Sequence, residues 1–275
     1  MKYIVTGSSG FLGHQLCARL CELGETVIGI DRMPPAPPFS WQHLSADITS
    51  PGNWVDAFHG ADAVFHLAGK AHALAELKQD EQEYFRINTD ATRLVLEAAK
   101  AGNVKRFVLF SSVKAMSRDT LDCGEALQSR IRCEQDQEEP DTPYGRSKFE
   151  AEKLVLFGTH VPEPVVLRLC MVYGAGAKGN ILKMLDAVRR NRFPPLPESG
   201  NRRSMVHVDD VIQASLLAAR HSDAPGQTFI VSDGNGYSTR DIYLMMLAAL
   251  QRPAPSWHIP MWSLRTAGKI GDMIG

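Results

Sequence analysis

Met1-Lys2-Tyr3-Ile4-Val5-Thr6-Gly7-Ser8-Ser9-Gly10-Phe11-Leu12-Gly13 opens the chain and decides the reading of its fold. A short apolar run at residues 3–5 enters a glycine turn and then a segment with Leu12, Leu16 and Leu20 along one helical face, so the unit is strand, turn, helix. Glycines suit that turn because the backbone must bend tightly, admit a pyrophosphate where a Cβ would obstruct it, and let the helix pack close to the sheet. The helix N-terminus adds N–H donors and a partial positive charge. Taken alone, such a cluster is equally a surface turn. A second apolar run at residues 26–30, ending on Asp31, supplies the context of a dinucleotide fingerprint. A carboxylate there accepts hydrogen bonds from the adenosine ribose hydroxyls and repels a 2′-phosphate, so NAD is expected over NADP. The expected cofactor contacts begin with Gly7, Ser9, Gly10, Phe11, Leu12, Gly13, Asp31 and the adjacent Arg32.

Outward from this unit, strand-like runs at 3–5, 26–30, 63–67, 106–111 and 165–169 alternate with helical patterns at 11–23, 80–101 and 143–157. Alternation of this kind predicts an α/β fold, a doubly wound parallel sheet of Rossmann type, with ligands along the edge formed by the strand C-termini. The Pro-rich stretch 33–38 cannot continue a central strand and reads as a stiff surface connection. Residues 117–142, with eight acidic residues against three arginines, are a solvated loop or a lid over the site; both readings stay open. The alternation breaks near residue 170, so residues 1–170 are expected to form the NAD-binding domain and residues 171–275 mainly a small C-terminal substrate lobe, with some segments returning to the sheet.

With 275 residues, 44% of them hydrophobic and 22% charged, the chain is large enough for a substantial core. A formal net charge of −1, with no dense mixture of basic and aromatic residues, gives no basis for a nucleic-acid or anionic-membrane partner. Neither a leader-like N-terminus nor an apolar run of spanning length is apparent, and a cytoplasmic location is expected. Cys17, Cys21, Cys123, Cys133 and Cys170 are scattered without a Cys-x-x-Cys pair, which predicts reduced thiols and no zinc site.

Two further segments bring chemistry. Ser111-Ser112 stand at the end of a strand, and Tyr144-Gly145-Arg146-Ser147-Lys148 opens a helix, where positions four apart share a face. A free phenol, with a pKa of about 10, is a poor base at neutral pH, but a nearby ammonium and a cationic nicotinamide favour the phenolate. Tyr144 is then able to exchange a proton with a substrate hydroxyl while Ser112 holds the reacting oxygen. Read separately, the pair is an ordinary exposed helix pair and the serines a turn. His66 and His207 read as packed or structural histidines, His72 has no ligand cluster around it, and no metal site is expected.

In their order, Thr6-Gly-x-x-Gly-x-x-Gly13, Asp31, His66-Leu67-Ala68-Gly69, Asn88, Ser111-Ser112 and Tyr144-x-x-x-Lys148 resemble the extended short-chain dehydrogenase/reductases, and among these the NAD-dependent epimerase/dehydratase family of nucleotide-sugar enzymes. The resemblance continues through Leu167-Arg168, Val172-Tyr173-Gly174, Asn180 and residues 203–210. It implies that Asp47 and Ile48 flank the adenine, that Leu67, Ala68 and Gly69 line the cofactor, that Asn88 braces the helix beside the lysine, and that Ser111, Tyr144 and Lys148 also reach the cofactor. It implies Ser112, Tyr144 and Lys148 as catalytic, with Ser111 in reserve, and Lys70, Asn180 and Arg203 on the substrate side. An arginine suits a diphosphate because its planar fork pairs two oxygens. Dehydratases of the family follow the hydroxyl residue with Asp-Glu; Val113-Lys114-Ala115 here disfavours dehydration. The implied activity is nucleotide-sugar epimerisation, UDP-hexose 4-epimerase-like. A nucleotide-sugar ketoreductase or dehydrogenase using the same residues is the alternative, and a silent dinucleotide-binding scaffold the third. A homodimer is implied by resemblance alone. Family members commonly run further at the C-terminus than residues 261–264 and their short sequel, which leaves a sugar pocket that is small, incomplete or completed by a neighbour.

Overall fold

The computed structural model describes residues 1–70, 81–116, 131–177 and 179–260. His72, Cys123, most of the acidic loop and residues 261–264 lie outside the described residues. In chain order the elements are β1 (Lys2–Thr6), α1 (Phe11–Glu22), β2 (Thr26–Asp31), β3 (Gln42–Ser45), β4 (Ala63–His66), α2 (Glu81–Tyr84), α3 (Ala91–Ala101), β5 (Arg106–Ser112), α4 (Pro143–Phe157), β6 (Glu163–Leu169), β7 (Met171–Tyr173), α5 (Asn180–Arg189), β8 (Arg203–His207), α6 (Val208–Arg220), β9 (Thr228–Val231), β10 (Gly236–Tyr237) and α7 (Thr239–Ala249).

The chain divides into two compact units, Met1–Cys170 with Val206–Val231, and Met171–Met205 with Ser232–Gly275. In the first, seven strands run in the order β3-β2-β1-β4-β5-β6-β9, every pairing parallel. Helices α1 and α6 pack together, as do α3 and α4, and these layers sandwich the sheet. Helices cover both faces of the sheet, so all of β4 and Arg106–Ser111 of β5 are buried, and apart from polar residues at their ends both runs are apolar. Ile4, Ile30, Val64, Phe107 and Leu109 from the sheet pack with Val95, Leu96 and Val155 from the helices. Each such side chain contributes about 1.5–3 kcal/mol on burial. Strand order reverses between β1 and β4, whose register pairs Thr6 with His66, and this reversal opens the crevice where ligands bind in such sheets.

Two features depart from the expected pattern. The run 80–101 is helical from Glu81 but not uniform: a π turn, Phe85–Asp90, separates α2 from α3. Strand β3 was not expected at all, because Gln42-His43-Leu44-Ser45 is a short, half-buried edge strand directly after the Pro-rich connection. In the second unit, β10-β8-β7 form a small sheet, and Val188, Met205, Ile242, Tyr243, Met246 and Leu247 make a separate core. Its helix α7 starts at a capping box between Ser238 and Asp241.

Candidate functional site

The glycine turn is shaped by close backbone approach. Gly7 has φ +74°, and a Cβ there would lie 2.7 Å from the Ala68 nitrogen. At Gly13 a Cβ would sit 2.1 Å from the Gly7 oxygen, so α1 packs onto the turn only with glycine. Gly10 is different: it is exposed, and a Cβ would meet only the Gly7 oxygen, at 3.2 Å. Its open face is the one an incoming group would approach. The first i→i−4 bond of α1 runs from His14 N to Gly10 O, and Gly10 offers no side-chain cap. The amides of Phe11, Leu12 and Gly13 therefore precede the helical ladder and point out as donors, which is the donor set a pyrophosphate needs.

Asp31 closes β2 beside this turn. Its two carboxylate oxygens accept from Ser9 N (3.0 Å) and Arg32 N (2.7 Å), which aims the group while leaving lone pairs for further donors. The Asp47 carboxyl is held below the usual carboxylate range, first by hydrogen bonds from Thr49 and then by the Arg32 and Arg86 guanidinium groups. Ile48 next to it is buried. Leu67 N and Ala68 N donate to the Thr6 carbonyl and hydroxyl at 3.2 and 3.3 Å, so the segment after β4 is tied to the end of β1.

Helix α4 positions the reactive pair. Thr142 caps it, its hydroxyl accepting from Gly145 N at 3.0 Å, and Pro143 fills the first turn where no N–H is needed. Gly145 lets the helix approach the segment after β5, since a Cβ there would fall 2.6 Å from the Lys114 oxygen. Tyr144 and Lys148 project from one face of α4. Lys148 is 6% exposed, and its Nζ donates to the Phe110 carbonyl of β5 at 2.7 Å. Burial pushes its ammonium down to about 8, against the opposing pull of Glu152. Behind it, His66 is buried between the Thr6 and Thr92 hydroxyls (2.7 and 2.9 Å), and burial followed by the Lys148 charge drives it down to about 3. It is a packed, neutral histidine.

Asn88 sits in the π turn and links three segments. Its Oδ1 accepts from Lys70 N (2.8 Å), while Nδ2 donates to Lys70 O (3.1 Å) and Ser147 Oγ (2.9 Å). Gly69 lies against it, with a Cβ position 2.8 Å from Asn88 Oδ1 and 3.7 Å from Lys148 Nζ. The Tyr144 ring meets the edge of buried Tyr84 at 5.9 Å, and Lys70, ion-paired to Glu83, lies 4.7 Å above the Tyr84 ring. The two serines separate clearly. Ser111 is buried and donates to Glu152, whereas Ser112 is partly exposed, its Oγ accepting from Lys114 N at 3.2 Å.

Sequence reasoning missed the linkage of buried Ser111, Glu152 and Arg168 to one another and to the more exposed Gln137. These residues lie far apart in the chain, and only Glu152, two turns beyond Tyr144, offered a signal by spacing. Asn180 and Arg203 belong to the second unit; both are exposed, Asn180 opening α5 and Arg203 opening β8. His207 caps α6, its Nδ1 accepting from Asp209 N at 3.3 Å. Among the described residues, Cys17, Cys21, Cys133 and Cys170 form no disulfide with one another, no cluster suits a metal ion, and no helix is long and apolar enough to cross a membrane.

Comparison with known proteins follows the same line. The model of the NAD dependent epimerase/dehydratase family matches residues 3–232. The chain is similar to a UDP-glucose 4-epimerase of Vibrio cholerae, 27% identical over 277 residues that cover 97% of this chain and 81% of the relative. It is also similar to a 2-alkyl-3-oxoalkanoate reductase of Stenotrophomonas maltophilia, 27% identical over 288 residues, covering 98% and 81%. Among solved structures, MoeE5 in complex with UDP-glucuronic acid and NAD superposes with a TM-score of 0.79 at 28% identity, covering 92% of this chain and 84% of that one.

Proposed function

The chain belongs to the NAD dependent epimerase/dehydratase family, and from that premise we propose that it is a nucleotide-sugar epimerase acting on a UDP-hexose at C4. The observation that carries this reading is the junction of α4 with the end of β5: Lys148 is pinned to the Phe110 carbonyl, two residues before Ser112, and shares a helix face with Tyr144. The cradle at Gly7, Gly10 and Gly13 with its first-turn amides fits a pyrophosphate, Asp31 and Arg32 fit the ribose, and Asp47 and Ile48 fit the adenine side. NAD bound there supplies a reversible hydride acceptor. Tyr144 takes the proton from the sugar 4-hydroxyl and later gives it back, Ser112 holds that oxygen by a hydrogen bond, and Lys148 favours the tyrosine's ionised form. Ser112 rather than Ser111 takes this role because the Ser111 hydroxyl is committed to Glu152. Lys70, Asn180 and Arg203 are the proposed contacts to the sugar nucleotide, with the arginine fork suited to its diphosphate.

A second reading, a ketoreductase or dehydrogenase with the same catalytic residues, is favoured by the equally similar oxoalkanoate reductase. One assay separates the two. Purified protein is incubated with NAD and a panel of UDP-hexoses while NADH absorbance and sugar identity are followed together. Interconversion of C4 epimers without net NADH is the expected result. Stoichiometric NADH supports the second reading, and silence across the panel removes the epimerase reading.

A further inference from the structure

Tyr144, Lys148 and Glu152 recur every four residues along one face of α4, and the chemistry proposed above leaves the last of them unused. Glu152 is 1% exposed, and its carboxylate is held from two sides. Ser111 Oγ donates to Oε1, while Arg168 of β6 donates through Nε (3.1 Å to Oε1) and Nη2 (2.7 Å to Oε2). Arg168, 5% exposed, is steadied in turn by Gln137, whose Oε1 accepts from Nη2 at 2.8 Å and whose Nε2 donates to the Ala115 carbonyl at 3.1 Å. A buried ion pair of this kind offers little stability over apolar residues of the same shape, because desolvation offsets the attraction. Its location beside the reactive lysine points to another use.

The groups around Lys148 can be named element by element. From α4 it has Tyr144 on one side and Glu152 on the other; from β4 comes the neutral His66; β5 presents the Phe110 carbonyl and the Ser111 hydroxyl; the loop before α2 and the π turn present Gly69 and Asn88; on β6, Arg168 stands behind Glu152. Among these described residues Glu152 is the negative charge that acts on the ammonium. We propose that Glu152 is a positioning residue for the Tyr144–Lys148 pair, its fixed carboxylate keeping the buried lysine charged so that Tyr144 remains ionisable near neutral pH. The inference rests on the proton relay assigned to Tyr144. Its physical basis is that a neutral amine lends a phenolate no support. Burial brings Lys148 down to about 8, close to working pH, and the Glu152 charge opposes that fall. Ser111 and Arg168 hold the Glu152 carboxylate in place from two sides, which gives Ser111 a task distinct from that of Ser112.

Tyrosinate ultraviolet absorbance, recorded against pH on the NAD-saturated protein with the matching Tyr144→Phe protein subtracted, reads Tyr144 ionisation without turnover. Glu152→Gln is expected to raise the Tyr144 midpoint by about one pH unit, roughly tenfold less phenolate at a given pH below it. Glu152→Asp, which keeps the charge, is expected to restore part of the shift. Because Glu152→Gln strands a buried guanidinium, the double variant Glu152→Gln, Arg168→Met removes both charges together and is expected to shift in the same direction by a smaller amount. A wild-type midpoint in either folded variant overturns the proposal. Should the shift appear in a protein that converts no nucleotide sugar, the epimerase reading fails while the role of Glu152 stands.

Discussion

Lys148 and His66 are both buried, and the Lys148 charge adds to the cost of protonating His66. For His66 the consequence is measurable as stability. Its folded pKa is pushed down to about 3 from an ordinary 6.5, so between those values the unfolded chain binds a proton that the folded chain refuses. The histidine therefore costs nothing above pH 6.5, and stability is lost as pH falls below it, with a slope of up to about 1.4 kcal/mol per pH unit. Urea midpoints of wild type and His66→Gln, compared from pH 7.5 downward, are expected to diverge in slope, the variant being flatter; parallel curves would contradict a neutral buried imidazole. At Tyr144 the expectation concerns rate. Tyr144→Phe removes the proton relay and should lower kcat by about 10²–10⁴-fold while NAD affinity, set by the glycine cradle, stays within a few-fold. The residue-level site was legible where chemistry is compact in sequence, as in Gly7 to Gly13 or Tyr144 to Lys148. The Ser111, Glu152 and Arg168 set was not, because adjacency there comes from β5, β6 and α4 meeting in space.

At the scale of elements, two local devices hold the reactive helix. Thr142 caps α4 and its removal in Thr142→Ala should cost about 1 kcal/mol, with faster amide exchange confined first to the turn bearing Tyr144. Asn88 is the second device. Its three hydrogen bonds tie the π turn to Lys70 and Ser147, so Asn88→Ala should cost about 1–3 kcal/mol and expose the Lys70 amide to exchange more than any amide of α1. Protection of Lys70 unchanged from wild type would show that the bracing is not needed. The helical pattern expected at 143–157 has the same bounds as α4, and β1, β2, β5 and β6 fall on their apolar runs. A π turn leaves no such trace: the apolar spacing over 80–101 fits one continuous helix, and the extra residue per turn is paid out only where Asn88 must face Lys70 and Ser147. Strand β3 was hidden for a different reason, since an edge strand with half-buried residues carries no sustained alternation.

Over the whole molecule, chain order and spatial order part company after residue 170. Val206–Val231 return to the first unit as α6 and β9, extending the parallel sheet beyond β6, while the flanking segments build the second unit around Val188, Met205 and α7. That some segments after residue 170 return to the sheet is expected from the sequence, but which ones is not, because α6 and β9 look like any other helix and strand until their partners are known. Ligand linkage provides a test at this scale. NAD at 100 times its dissociation constant should stabilise the folded chain by about 2.7 kcal/mol, and Gly13→Ala, whose Cβ would collide with the Gly7 carbonyl, should abolish that gain. Equal stabilisation of both proteins by NAD would place the cofactor elsewhere. The most direct measurement is a crystal structure of the complex with NAD and a UDP-hexose. The pyrophosphate is predicted on the amides of Phe11, Leu12 and Gly13, with Tyr144 Oη about 2.6–3.2 Å from the sugar 4-hydroxyl; a pyrophosphate away from that turn, or a Tyr144 hydroxyl turned from the sugar, would contradict the account.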